Sequence, residues 1–464
     1  MQKTAVIIGG GISGLTSAYF LAKKGYKVHV VEKNKELGGL LRSFDYGEHG
    51  HFDYGAHNIL ETGIDDLDEF YLSLLASDDW QITRTLNGQT RALTGLLYRD
   101  KLQQNSPFID LRNHPKVASY IGDFFLNIEK HPKPSVGIEC GDADSYSRYL
   151  FGDLITDDII VPALQKLYGK KSTELNAMVL HLTQFTRIGL FEESIMQELV
   201  TTRIIGSRLA YTEQLSLPDQ YGKSLKSFYP KKYGIYRVID AIKVKLDELG
   251  IAFHMEETIT DITIKNNKIN QVSIGNNLIK ADVVISTIGF SSLVGLLSLD
   301  VRGLSFDKAP QTVMTNILID KPLKVGELSF IYSYDKGSNI FRLDNYQNYC
   351  QAAKRKGGYA ITIESLLLTD KLDDDKLQFE LIKELKHYQL IEDDTQINFI
   401  KTERIIGGFP MLSQNNINII NNLREQVSKL AITNLITVGV LSEVGLFFEN
   451  QVVQDMYYKI KDLS

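Results

Sequence analysis

Six residues near the start of the chain, Gly9-Gly10-Gly11-Ile12-Ser13-Gly14, have the G-x-G-x-x-G spacing of a turn that can hold a dinucleotide pyrophosphate. They follow Ala5-Val6-Ile7-Ile8, which reads as a buried strand, and they open a helix expected over about Gly14 to Lys24. Gly9 permits the tight turn, and Gly11 puts no side chain between the backbone and a phosphate. Gly14 lets the helix pack closely on the sheet. The helix N-terminus, with Ile12 and Ser13, offers free N–H groups and the positive end of a dipole to the anion. A second strand, Lys27 to Val31, then ends at Glu32. A carboxylate there accepts hydrogen bonds from ribose hydroxyls and repels a 2′-phosphate, which disfavours NADP. This turn alone accommodates FAD or NAD.

Two later segments add to it. Leu37-Gly38-Gly39-Leu40-Leu41-Arg42 supplies a second glycine pair, another close backbone approach and a cation suited to pyrophosphate. Phe52-Asp53-Tyr54-Gly55-Ala56-His57 reads as a short strand ending in small residues, against which a flat ring system can lie. In order and spacing, these segments together resemble the flavin amine oxidase superfamily. Monoamine oxidases, protoporphyrinogen oxidases, phytoene desaturases and, more distantly, UDP-galactopyranose mutases belong to that group. The likeness continues through Phe151-Gly152, Pro162, Lys166, Tyr168-Gly169 and Leu175, then Tyr229-Pro230 to Gly234, with Lys232-Tyr233 where a glycine is usual. It also takes in Thr258 to Ile262, Val438-Gly439 and Gly445-Leu446-Phe447.

The resemblance implies non-covalent FAD in an α/β fold, a Rossmann-type FAD-binding domain with an inserted α+β substrate domain. It implies cofactor contacts at Gly9, Gly11, Ile12, Ser13, Gly14, Glu32, Lys33, Gly38, Gly39, Leu40, Arg42, Gly55, Ala56, His57, Ile259, Gly439 and Gly445. Val440 and Glu443 depart from the residues usual in the closing segment. Neither Cys140 nor Cys350 lies where some relatives attach flavin covalently. The activity implied is a FAD-dependent oxidoreductase that removes hydride from a C–N, C–C or C–O bond of a small molecule. Electrons would then leave to oxygen or another acceptor, since no second G-x-G-x-x-G unit is present for NADPH. A redox-neutral mutase acting on a nucleotide sugar is the alternative. Tyr54 to His57 and Phe341-Arg342 favour it, whereas Leu60 stands in the place of a second histidine. A non-enzymatic flavin protein is the third reading.

His57 is the candidate beside the ring; His49, His51 and His57 crowd one stretch, but no carboxylate-rich motif accompanies them, so no metal is expected. Arg342 is a candidate for binding substrate, or a sheet ion-pair partner. Tyr332, alternating with Tyr334, is expected on one face of the preceding strand. Lys170-Lys171 and Lys231-Lys232 read as solvated charge.

At 464 residues the chain exceeds one core. We expect a discontinuous cofactor domain over 1–75, 225–300 and 405–464, with a substrate domain over 76–224 and 301–404. A net charge of −6 and the lack of a basic block argue against nucleic acid. Two separated cysteines argue against disulfides and metal clusters and suit the cytoplasm. No apolar run reaches a membrane-spanning length, although peripheral membrane contact stays open.

Overall fold

A computed structural model describes residues 2–83, 92–133, 141–217, 225–369 and 372–463; Cys140 lies outside them. Short apolar runs from distant parts of the sequence meet in one parallel sheet. Its spatial order is Ala252–Met255, Lys27–Glu32, Thr4–Ile8, Val283–Ser286 and Leu435–Thr437. Strands buried on both faces need apolar residues at successive positions, which these segments supply. Ala5 and Ile7 pack under three helices, Ile12–Lys23, Tyr236–Glu248 and Glu449–Ile460. Val6 and Ile8 face an antiparallel meander, Ile259–Lys265, Lys268–Ile274 and Asn277–Lys280. The first and last of the three helices run parallel: Phe20 meets Tyr457 at 5.3 Å, and Lys24 Nζ donates to the Lys461 carbonyl at 2.6 Å. Their N-termini therefore lie at the same edge of the sheet.

A second, largely antiparallel sheet has the order Ile397–Ile405, Gln311–Ile319, Tyr359–Leu367, Arg342–Asn345, Leu328–Ser333, Leu93–Tyr98 and Lys101–Gln103. Its alternation sets the chemistry of its two faces. Val313, Ile317, Ile331, Leu343, Ile361 and Ile363 point to one side, where Leu377, Leu381 and Leu385 of helix Asp374–His387 cover them. The other face carries Asn316, Arg342, Asp344, Thr362 and Glu364, and it is buried as well. A largely helical cluster, with Tyr120, Phe124, Leu164 and Leu180, abuts the sheet.

Helix Asp374–His387 carries its own local code, an Asp373 cap and leucines at helical spacing, and the last described strand and helix are Leu435–Thr437 and Glu449–Ile460. The first helix starts two residues before the expected Gly14. Strands Leu93–Tyr98 and Lys101–Gln103 lie within 76–224, where the run LTGLLY is too short to separate strand from helix by period.

One cross-strand pair makes stability depend on pH. His29 Nδ1 and His254 Nε2 are 3.0 Å apart on adjacent strands, so only one proton fits between them. Burial, then the His254 and Lys27 charges, pushes His29 down to about 4. The unfolded chain binds this proton near about pH 6.5, where the fold does not. The pair's effect on stability is therefore absent above about pH 6.5 and becomes a loss as pH falls towards 4. Thermal melts should show a smaller drop in Tm between neutral and mildly acidic buffer for His29→Leu than for wild type. Equal drops would remove the pair as the cause.

Candidate functional site

The glycine turn is built around contacts that exclude a side chain. A Cβ on Gly9, at φ +107°, would lie 2.2 Å from Thr287 Oγ1, and one on Gly14 would lie 2.1 Å from the Gly9 carbonyl oxygen. Gly11 differs: a Cβ there would meet nothing nearer than Gly39 Cα at 4.0 Å. Gly38 N–H donates to the Gly10 carbonyl at 2.8 Å, and Gly11 pairs with Gly38 across an isolated bridge. The two glycine loops thus join into one strip of bare backbone. In front of it, helix Ile12–Lys23 begins with no side-chain cap and no acid in its first turn, so its N–H groups are directed at this strip. The bare strip and the uncapped helix fit a dinucleotide pyrophosphate.

Glu32 is buried. Its Oε2 accepts from Gly10 N–H at 2.8 Å, and its Oε1 accepts from Asn34 N–H at 2.8 Å and Asn34 Nδ2 at 2.7 Å. A carboxylate has about four acceptor positions, so a ribose hydroxyl would share this group with Asn34. Lys33 and Leu40 are exposed. Arg42 braces its own loop: Nε donates to the Gly39 carbonyl at 2.7 Å, and the guanidinium lies 4.8 Å from the centre of the Tyr54 ring. The Ile259 side chain goes into the core of the meander. Gly439 and Gly445, both at positive φ, flank a loop that exposes Val440 and Val444.

The second half of the site lies where Gly55 meets the polar sheet face. Strand register sets Glu403, Met314, Glu364, Arg342 and Tyr332 in one transverse row. Gly55 has φ +118°, and a Cβ on it would be 3.1 Å from both Arg342 Nη2 and Met314 Cε. Only glycine lets the turn sit this close to the guanidinium. His57 Nε2 lies 3.8 Å from that same Cβ position. Burial, then the Arg342 charge, pushes His57 down to about 4, so the ring is neutral at neutral pH. Arg342 Nη2 is 2.6 Å from Glu364 Oε2, its Nε is 3.6 Å from Asp344 Oδ1, and Nη1 donates to Tyr332 Oη at 3.5 Å. Burial acts against the charge on Arg342, but its neighbours, Glu364 first, more than offset it and keep the group cationic.

The structure therefore brings Gly55, His57, Arg342 and Tyr332 together. Ala56 lies on the same turn. Tyr334 falls one residue beyond its strand and into the helical core, where Oη donates to the Thr183 carbonyl at 2.7 Å. His49 and His51 go elsewhere, stacking on Phe399 and Tyr236. Among the described residues no cluster of three or more His, Cys, Asp or Glu is placed to hold a metal. Sequence reading missed Asp344 and Glu364. Their signal was available as polar residues alternating with Leu343, Ile361 and Ile363.

Beneath the turn, a buried hydrogen-bond hub ties three chain segments. Asp53 accepts from Ser43 Oγ and Tyr229 Oη, both at 2.5 Å, and from Ile235 N–H at 3.0 Å. Its own N–H donates to Tyr346 Oη at 2.9 Å. Arg355 lies 4.0 Å from the Phe52 ring centre and 4.5 Å from that of Tyr233, and it donates to the His49 and His51 carbonyls.

A Rossmann-type parallel sheet joined to an antiparallel sheet and a helical layer is the two-domain architecture of amine-oxidase-like flavoenzymes, and the chain has that fold. Residues 7–71 match the model of an NAD(P)-binding Rossmann-like domain. Over its whole length the chain is similar to a solved structure of reduced UDP-galactopyranose mutase. Identity is 16%, coverage is 99% of this chain and 96% of the mutase, and the TM-score is 0.74. A structure assigned as a protoporphyrinogen oxidase from Exiguobacterium sp. 255-15 superposes with TM-score 0.66 at 15% identity, covering 99% and 98% of the two chains. Among curated proteins, a 1-hydroxycarotenoid 3,4-desaturase from Flavobacterium sp. (strain P99-3) is 52% identical over 46 residues. That stretch covers 10% of this chain and 9% of the desaturase. Among the described residues no helix is long and apolar enough to cross a membrane.

Proposed function

We propose that the chain is a FAD-dependent oxidoreductase acting on a small organic molecule that docks beside the Gly55–His57 turn and Arg342. The observation that carries this reading is the bare-backbone strip at Gly11 and Gly39 in front of an uncapped helix, continuous in sequence with the turn that meets the polar sheet face. FAD, when bound, supplies two-electron oxidation. The chain's own part is to bind and orient. Arg342, fixed by Glu364, holds an electron-rich group of the substrate, and neutral His57 gives or accepts one hydrogen bond. Oxygen or another acceptor takes the electrons, and the working compartment is the cytoplasm.

FAD-loaded protein mixed without oxygen with amines, tetrapyrrole precursors and nucleotide sugars should lose its oxidised-flavin absorbance with at least one class. Loaded protein that keeps its colour with all three contradicts the proposal.

One observation favours a second reading, a redox-neutral isomerase of nucleotide sugars: the arginine-bearing strand lies directly against the Tyr54–His57 turn. Dithionite-reduced, FAD-loaded protein should then convert UDP-galactopyranose to its furanose form, and an unchanged sugar removes this reading.

A further inference from the structure

The Arg342 cluster places two carboxylates around one cation, all withdrawn from water. Side-chain exposure is 19% for Arg342, 2% for Asp344 and 6% for Glu364. The two acids are not equivalent. Glu364 Oε2 approaches the guanidinium at 2.6 Å, whereas Asp344 Oδ1 stands 3.6 Å from Nε; Asp344 Oδ1, Glu364 Oε2 and Arg342 Nε are all buried without a well-aligned hydrogen-bond partner among the described residues, so the distances distinguish the acids.

The other groups around Asp344 bring no compensating charge. Thr362 and Phe330 flank it in register, Tyr346 and Tyr349 follow on its own chain, and Asp53 and neutral His57 belong to the turn above. The nearby Arg355 faces Asp53 and the Phe52 and Tyr233 rings. Two ionised carboxylates on one guanidinium would leave an unpaired negative charge in the interior, which is costly enough that a group takes up a proton instead.

We propose that Asp344 is a buried acid that keeps its proton in mildly acidic solution and releases it around neutrality, that Arg342 has Glu364 as its single counter-ion while the proton is held, and that this face exchanges one proton when the charge beside Arg342 changes. Burial, lessened by Arg342 and reinforced by Glu364 and Asp53, agrees by pushing Asp344 up to about 7. Below that pH the Arg342–Glu364 pair presents no net charge to a ligand; above it, the ionised Asp344 adds a negative charge that weakens docking of an anion and strengthens docking of a cation. Asp344 acts through Arg342 and is a positioning residue.

Infrared difference spectroscopy between mildly acidic and mildly alkaline buffer, on the full chain with and without FAD, tests this. Beside the band of Glu449, wild type should show a protonated aspartate carboxyl band that disappears with a midpoint near about pH 7, and ¹³C-labelling of aspartate should shift it. The band should be lost at neutral pH in Asp344→Asn. It should also be lost in Glu364→Gln, because Asp344 then becomes the only counter-ion and ionises. Glu449, pushed up to about 8 by burial, contributes equally to every sample and cancels between variants. Identical spectra for wild type and either variant, or the lack of any carboxyl band that moves with the aspartate label, overturns the proposal. Because samples without FAD serve equally, failure to bind the cofactor is read separately.

Discussion

Replacing Asp53 with alanine is expected to lower the unfolding free energy by about 3–5 kcal/mol, the range for breaking a buried charged network by removing one partner. The substitution leaves the Ser43 and Tyr229 hydroxyls and the Ile235 N–H without their acceptor, all close to a carboxyl that is 1% exposed. It also removes the acid facing Arg355, which sits in a cage of aromatic rings. Asparagine keeps an acceptor for Ile235 and should be milder. The readout is the urea midpoint at an unchanged denaturant slope. A loss below about 1 kcal/mol would show that the hub does not hold the three segments together.

The second large effect falls on binding and not on folding. Gly11→Val should leave the fold intact, since Gly11 has the ordinary backbone angles φ −77° and ψ 177° and its Cβ position is open. The side chain would stand where the phosphates must approach the backbone. FAD affinity should fall at least about 100-fold, or about 2.7 kcal/mol. Gly14→Ala serves as the contrast, because its Cβ would lie 2.1 Å from a backbone oxygen and the helix would have to move off the sheet. Titration of apo-protein with FAD, monitored by flavin fluorescence alongside circular dichroism, separates the two cases. Undiminished binding by a folded Gly11→Val protein would remove the strip from the cofactor site.

The Rossmann unit was readable because its code is local. Strand, turn, helix and second strand succeed one another within Thr4–Glu32, and Gly9 and Gly14 are fixed by contacts made inside that stretch or with Thr287. The helix Asp374–His387 was readable for the same reason, with an Asp373 cap and leucines at helical spacing. The sheet face was harder to read. Arg342 and Glu364 are neighbours only by register between strands separated by a turn and a short helix. Whether an arginine on a strand faces water, an acid or a ligand depends on what covers that face, and here the cover is a turn almost three hundred residues earlier. The same distance hid the destination of Tyr334, whose partners Phe185 and Thr183 come from the helical cluster. Period-two alternation of Thr362 and Glu364 with Ile361 and Ile363 carried the missing signal, but it marks a two-sided strand without saying which partner waits on the polar side.

The parallel sheet also governs the order in which this protein can assemble. Its central strand, Thr4–Ile8, is made well before its partner at Val283–Ser286, and the edge at Leu435–Thr437 is made later still. Contacts of such wide sequence separation close slowly. The nascent βαβ segment must therefore wait with apolar surface uncovered, which makes synthesis and refolding the stages at which this chain is most exposed to aggregation and most dependent on chaperones.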